Sequence, residues 1–159
     1  MSEVQVGEIR IGGGNPLILI AGPCVIESEG NALETAGELR RLCLNLKIPL
    51  IFKASYEKDN RGSENSYKGP GLREGLRILA KVKGVTGLPV LSDIHRMEDV
   101  DSAREVLDIL QVPAFLCQQT SLLLKVGGAG RPVNIKKGQF VAPEGMAGAV
   151  KKIHSTGNR

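Results

Sequence analysis

Leu17-Ile18-Leu19-Ile20-Ala21-Gly22-Pro23-Cys24-Val25-Ile26-Glu27-Ser28 decides how this chain reads: an apolar run breaks off at Gly-Pro, and a thiol and a carboxylate follow at once. Leu17 to Ala21 has no polar alternation, the pattern of a strand buried on both faces in a parallel sheet. Gly22 permits a sharp reversal and Pro23 cannot donate to a ladder, so Cys24 falls at the carboxyl end of that strand. The carboxyl ends of parallel strands are where α/β folds carry their chemistry.

Toward the N-terminus, Val4-Gln5-Val6 and Ile9-Arg10-Ile11 alternate around Gly7-Glu8, predicting a β-hairpin over 3–12 with a two-residue turn. The triple glycine Gly12-Gly13-Gly14 precedes a strand and opens no helix, so it reads as a connector, not a phosphate loop. Toward the C-terminus, Ser28 is the expected N-cap of a helix over 31–46 striped by Leu33, Ala36, Leu39, Leu42 and Leu46, with Cys43 as a small core residue. A buried strand over 48–55 carries Lys53 near its end, and a polar loop over 56–71 follows. The spacing then predicts a helix over 72–83 closed by Gly84 and Gly87, a strand over 89–93 ending in Asp93, and a helix over 97–106. A strand over 108–112, a helix over 120–126, a strand over 133–136 and a helix from Pro143-Glu144 to His154 complete the chain.

Strand and helix alternate five times, which predicts a parallel sheet with right-handed crossovers. Cys24, Lys53, Asp93, Gln111 and Lys136 each fall at or just past a strand end, so parallel neighbours bring them to one face. A buried strand has no structural use for an unpaired lysine, and such residues read as functional.

The 159 residues suit one domain, and 42% hydrophobic residues mark it as globular. No run approaches a membrane span and the N-terminus has no basic, apolar leader, so a cytoplasmic location without membrane contact is expected. Cys24, Cys43 and Cys117 are odd in number and irregularly spaced, which argues for reduced thiols. The net charge of +4 comes with two Tyr, three Phe and no Trp, too few rings for stacking on bases, so no nucleic-acid partner is expected and the basic residues read as sites for small anions.

Longer blocks say more. Ile20 to Ser28, Phe52-Lys53-Ala54-Ser55 with Lys58-Asp59-Asn60-Arg61-Gly62-Ser63, Ser92-Asp93-Ile94-His95, Gln111 to Cys117, and Val133 to Phe140 together resemble the 3-deoxy-D-manno-octulosonate 8-phosphate synthase family. The resemblance implies a (β/α)8 barrel, of which these residues supply the first five βα units after the hairpin, and a condensation of phosphoenolpyruvate with arabinose 5-phosphate. A sister family making 3-deoxy-D-arabino-heptulosonate 7-phosphate shares the Ala-Gly-Pro-Cys turn. It follows Phe-Lys with Pro-Arg-Thr, where this chain has Ala54-Ser55-Tyr56, so the five-carbon acceptor is preferred.

By that resemblance Lys53, Lys58, Gln111, Ala114 and Lys136 surround phosphoenolpyruvate, and several fixed cations are what its phosphate and carboxylate require. Asn60 and Arg61 match the loop for the acceptor sugar phosphate, and Lys58, Asn60 and Asp93 are the catalytic candidates. For Asp93 an alternative is a cap on the following helix. Lys137 neighbours Lys136 on the strand and is expected to face the other way. Relatives with Cys at the position of Cys24 use the thiolate as one ligand of a divalent metal ion, so Cys24 is the metal candidate; His95 is not an expected ligand, and His154 reads as a surface residue.

Departures qualify this picture. The family's other metal ligands, a later His, Glu and Asp, and a phosphate-binding Arg have no counterpart in the five units. Gly62 stands where many relatives have Ser, and Gln118-Gln119-Thr120-Ser121 replaces Arg-Gln-Thr-Asp. Three readings remain: part of a longer synthase that forms a homo-oligomer, a short relative that binds a phosphorylated metabolite without turnover or completes its barrel with another chain, and an inert product.

Overall fold

The computed structural model describes residues 3–158. Strands β1 (Glu3–Val6) and β2 (Ile9–Gly12) form the antiparallel hairpin, turning through Gly7-Glu8 with Val6 opposite Ile9. Five parallel strands follow in the order of the chain: β3 (Leu19–Ala21), β4 (Leu50–Lys53), β5 (Val90–Asp93), β6 (Ile109–Val112) and β7 (Val133–Ile135). Between and after them lie α1 (Glu29–Leu46), α2 (Leu72–Thr86), α3 (Asp99–Val106), α4 (Thr120–Gly127) and α5 (Met146–His154). This is the expected partial barrel, five βα units behind a hairpin.

Strand periodicity divides the buried residues into two cores. Phe52, Val90, Leu110 and Val112 face outward and pack with Ala36, Leu79, Val82, Ala103, Leu123 and Ile153 of the helices. Ile51, Leu91 and Ile109 face inward and pack with Val6, Ile9 and Ile11 of the hairpin, which therefore plugs the N-terminal end of the sheet's concave side. Each buried aliphatic side chain contributes about 1.5–3 kcal/mol before entropy is charged against it.

The structure corrects three expectations. The run from Leu17 is not buried on both faces: Leu17 is 91% exposed, and Leu19 and Ile20 are 38% and 37% exposed. Among the described residues the strand lies at the edge of the sheet with β4 as its one partner, so one flank is uncovered there. On α1, which Ser28 does cap through a hydrogen bond from the Asn31 amide, Leu42 and Leu46 are exposed; Ala32, Ala36 and Cys43 are buried, and Leu33 and Leu39 pack partly buried against the core as expected. Helix α2 runs through Gly84 and stops at Gly87, whose φ of 71° is the left-handed C-cap that glycine adopts without strain.

Candidate active site

The inward positions that are apolar near the hairpin become polar one step along each strand. On β4 the inward column continues from Ile51 to Lys53 and Ser55; on β5 it runs from Leu91 to Asp93, and on β6 from Ile109 to Gln111. The ladder sets Asp93 beside Gln111 and Gln111 beside Asn134, so one polar row crosses the sheet. Ser55 Oγ donates to Asp93 Oδ2 at 2.5 Å, Gln111 Nε2 donates to Asp93 Oδ1 at 2.8 Å, and Asn134 Nδ2 donates to Gln111 Oε1 at 2.6 Å.

Two cations sit on this row. Lys53 Nζ donates to Ser55 Oγ at 2.8 Å and to the Cys24 carbonyl at 3.2 Å, and lies 3.4 Å from Asp93 Oδ2. Lys136 Nζ lies 3.2 Å from Asp93 Oδ1. Burial opposes the charge on Asp93, but the Ser55 hydroxyl, Lys53, Gln111 and Lys136 outweigh it and hold the carboxyl below its ordinary range. Burial also pushes the Lys53 ammonium below the usual lysine value, against the pull of Asp93 and Cys24.

The turn after β3 brings the thiol to the same rim. Gly22 has φ 149°, and a Cβ there would lie 2.0 Å from the Lys53 carbonyl oxygen, so only glycine lets the turn cross the end of β4. Beyond it, Lys58 Nζ donates to Cys24 Sγ at 3.0 Å. That hydrogen bond, opposed by partial burial and aided by Lys53 and Arg61, lowers the thiol pKa from its ordinary value.

A cavity of about 290 Å³ opens at this rim, lined by Cys24, Lys53, Lys58, Asn60, Asp93, Ala114 and Lys136 together with Ser55, His95 and Phe115. Seven of the expected site residues therefore share one space. The cavity's other carboxylates, Glu57 and Asp59, are paired with Arg96 and Lys68. What faces the space is three ammonium groups around the single carboxylate of Asp93, a surplus of positive charge fitted to a small polyanion.

Two expected residues stand apart. Gln111 is 4% exposed and does not reach the cavity wall, because its amide is used by Asp93 on one side and Asn134 on the other. Arg61 is also off the lining, although its guanidinium lies near enough to act on Cys24. The helix-cap alternative for Asp93 does not hold: the residue before α3 is Glu98, and Asp93 is buried in the polar row. Lys137 turns away as expected, donating to the carbonyls of Gly138 and Val141.

The described residues do not by themselves make up a divalent-ion site. Among the described residues no group of three or more His, Cys, Asp or Glu side chains is placed to hold one, and the thiol of Cys24 has an ammonium against it. His95 Nε2 is engaged with the Glu57 carbonyl at 2.9 Å.

Ser55, on the cavity lining, and Asn134, which supports Gln111 behind it, join the polar row without having been singled out as site residues in the sequence. Ser55 was findable, since it stands two residues beyond Lys53 and so shares its face; Asn134 required the register of three strands.

The chain is similar to known proteins along nearly its whole length. The protein named 2-dehydro-3-deoxyphosphooctonate aldolase in Geotalea daltonii is 56% identical over 158 residues, 99% of this chain and 58% of that protein. The proteins of that name in Geobacter sulfurreducens and Geobacter metallireducens are 57% and 58% identical over 156 residues, 98% of this chain and 57% of each. The chain thus spans less than two thirds of the length of these relatives. A profile of the DAHP synthetase I family matches residues 1–159. With five parallel βα units behind a hairpin and a match along its whole length, the chain belongs to the DAHP synthetase I family.

Proposed function

We propose that these residues are the phosphoenolpyruvate-gripping part of a longer synthase that joins phosphoenolpyruvate to arabinose 5-phosphate, yielding 3-deoxy-D-manno-octulosonate 8-phosphate and phosphate. The observation that carries this reading is the surplus of ammonium groups, Lys53, Lys58 and Lys136, around one cavity at the strand ends. Their number suits a ligand with a phosphate and a carboxylate, and the name borne by the relatives fits the same chemistry.

In this reading Lys53, Lys58 and Lys136 hold the anionic groups of phosphoenolpyruvate, and the Asp93 carboxylate, ion-paired with Lys53 and Lys136, fixes those two ammonium groups. C3 of the enol phosphate attacks the aldehyde carbon, forming the new C–C bond while the aldehyde oxygen takes up a proton. Lys58 is the donor suited to that oxygen, since it stands at the cavity and its present partner is a thiol. Water adds to C2, and the C–O bond to phosphate then breaks from the tetrahedral adduct. Asn60, exposed on the cavity edge, and Arg61 beside it serve the acceptor's polar end. No step is assigned to a metal ion, because the described residues do not supply its ligands.

The test is release of inorganic phosphate by the full-length protein. Release that requires both phosphoenolpyruvate and arabinose 5-phosphate, and that falls at least about a hundredfold in Lys136→Met, is the expected result. Release with erythrose 4-phosphate in place of the five-carbon sugar selects the sister reaction. Binding of phosphoenolpyruvate without release selects a non-catalytic binding role.

A further inference from the structure

The loop over 54–71, which carries Lys58, is short of regular structure, yet its first residues are tied to the following βα loop. Tyr56 is fully buried and donates its hydroxyl hydrogen to Asp99 Oδ2 at 2.8 Å, at the start of α3. Its amide donates to Ser92 Oγ on β5 at 3.3 Å, and its ring meets that of His95 edge-on with centroids 5.8 Å apart. A carbonyl only accepts, so His95 Nε2 carries the hydrogen it gives to the Glu57 oxygen. Arg96 then grips the Glu57 carboxylate with two parallel hydrogen bonds, both 2.7 Å.

Most exposed ion pairs contribute little, because each partner keeps its water and its freedom. This one differs in geometry and in place. Glu57 has a side chain only 15% exposed, the contact is two-pronged, and the next residue in the chain is Lys58. Arg96 itself is outside the cavity. A shift of Glu57 carries the Lys58 backbone with it, and a displacement of about 1 Å at a binding group costs orders of magnitude in productive alignment.

We propose that Arg96, through the fork it makes with Glu57, is a positioning residue that holds Lys58 over the cavity without touching the ligand. This inference rests on the proposed role of Lys58 in gripping the enol phosphate. The substitution Arg96→Gln removes the fork and the charge while keeping the stem; Arg96→Lys keeps the charge and loses the fork.

The test titrates the full-length protein with phosphoenolpyruvate by calorimetry and follows amide hydrogen exchange over 56–62. Arg96→Gln is expected to weaken binding about tenfold and to speed exchange over 56–62 with the exchange of α1 and α2 unchanged, and Arg96→Lys to fall between it and the starting protein. Arg96→Gln binding as tightly as the starting protein, while Lys58→Met loses binding, overturns the proposal and leaves the functional reading intact. If the starting protein gives no heat with phosphoenolpyruvate, the functional reading fails. The exchange over 56–62 then decides the clamp: faster exchange in Arg96→Gln supports it and unchanged exchange overturns it.

Discussion

The inward faces of the same strands hold two layers of opposite character. Ile51, Leu91 and Ile109 make a dry layer against the hairpin, while Lys53, Asp93 and Gln111, one inward position further along, make a polar layer with Ser55 and Lys136 beside them. A step of two residues moves the chain from one to the other. The lower layer can pay for the upper one: it buries aliphatic carbon at no polar cost, whereas the upper layer takes a carboxylate and an ammonium out of water and recovers that loss only through mutual contacts. The difference teaches that stability and binding are separated along the strand axis, not between elements.

Substitutions in the two layers sharpen that separation. Leu91→Ala, at a fully buried position under the charged row, is expected to cost about 3 kcal/mol in denaturant unfolding. A loss under about 1 kcal/mol breaks the claim that the lower layer carries the stability. Asp93→Asn leaves Lys53 and Lys136 without their shared carboxylate and is expected to cost about 2 kcal/mol, less than Leu91→Ala because Lys136 remains open to water. If it costs more than Leu91→Ala, the charged layer is the structural one and the division is reversed.

The acid limb gives a smaller effect with a definite sign. The folded-state pKa of Asp93 is held below its unfolded value of about 3.9, so its contribution is present above that value and is lost as pH falls through the folded pKa. Melting temperature in the starting protein is expected to bend downward below about pH 4 through Asp93, and Asp93→Asn to lack that part of the bend. Identical acid limbs contradict the assignment. Smallest of all, in the 159-residue chain, is Leu19→Ala on β3, expected to change stability by less than about 1 kcal/mol because the side chain is already 38% exposed at the edge of the five-stranded sheet.

That last residue marks what a linear reading misses. The apolar run from Leu17 carries the pattern of a strand with two neighbours; among the described residues it has one, β4, and the exposure of Leu19 and Ile20 is that of the five-stranded sheet alone. Cys24, Lys53, Asp93 and Lys136 were legible because a charge or thiol at the end of a buried strand has few structural explanations. Lys58 and Asn60 came with the resemblance, and the cavity contains both. Gln111 was legible as inward-facing, yet its removal from the cavity wall follows from Asn134, one strand away in register. The ties of Tyr56 to Asp99 and of Glu57 to Arg96 span 43 and 39 residues of sequence and leave no local signature.

The most direct test of the account is a structure of the full-length protein crystallised with phosphoenolpyruvate. The prediction is that phosphate and carboxylate oxygens lie within hydrogen-bond distance of Lys53, Lys58 and Lys136, with the Lys58 ammonium drawn off Cys24 toward the ligand. A ligand bound elsewhere, with the ammonium groups of Lys53 and Lys136 still engaged only by Asp93, contradicts it.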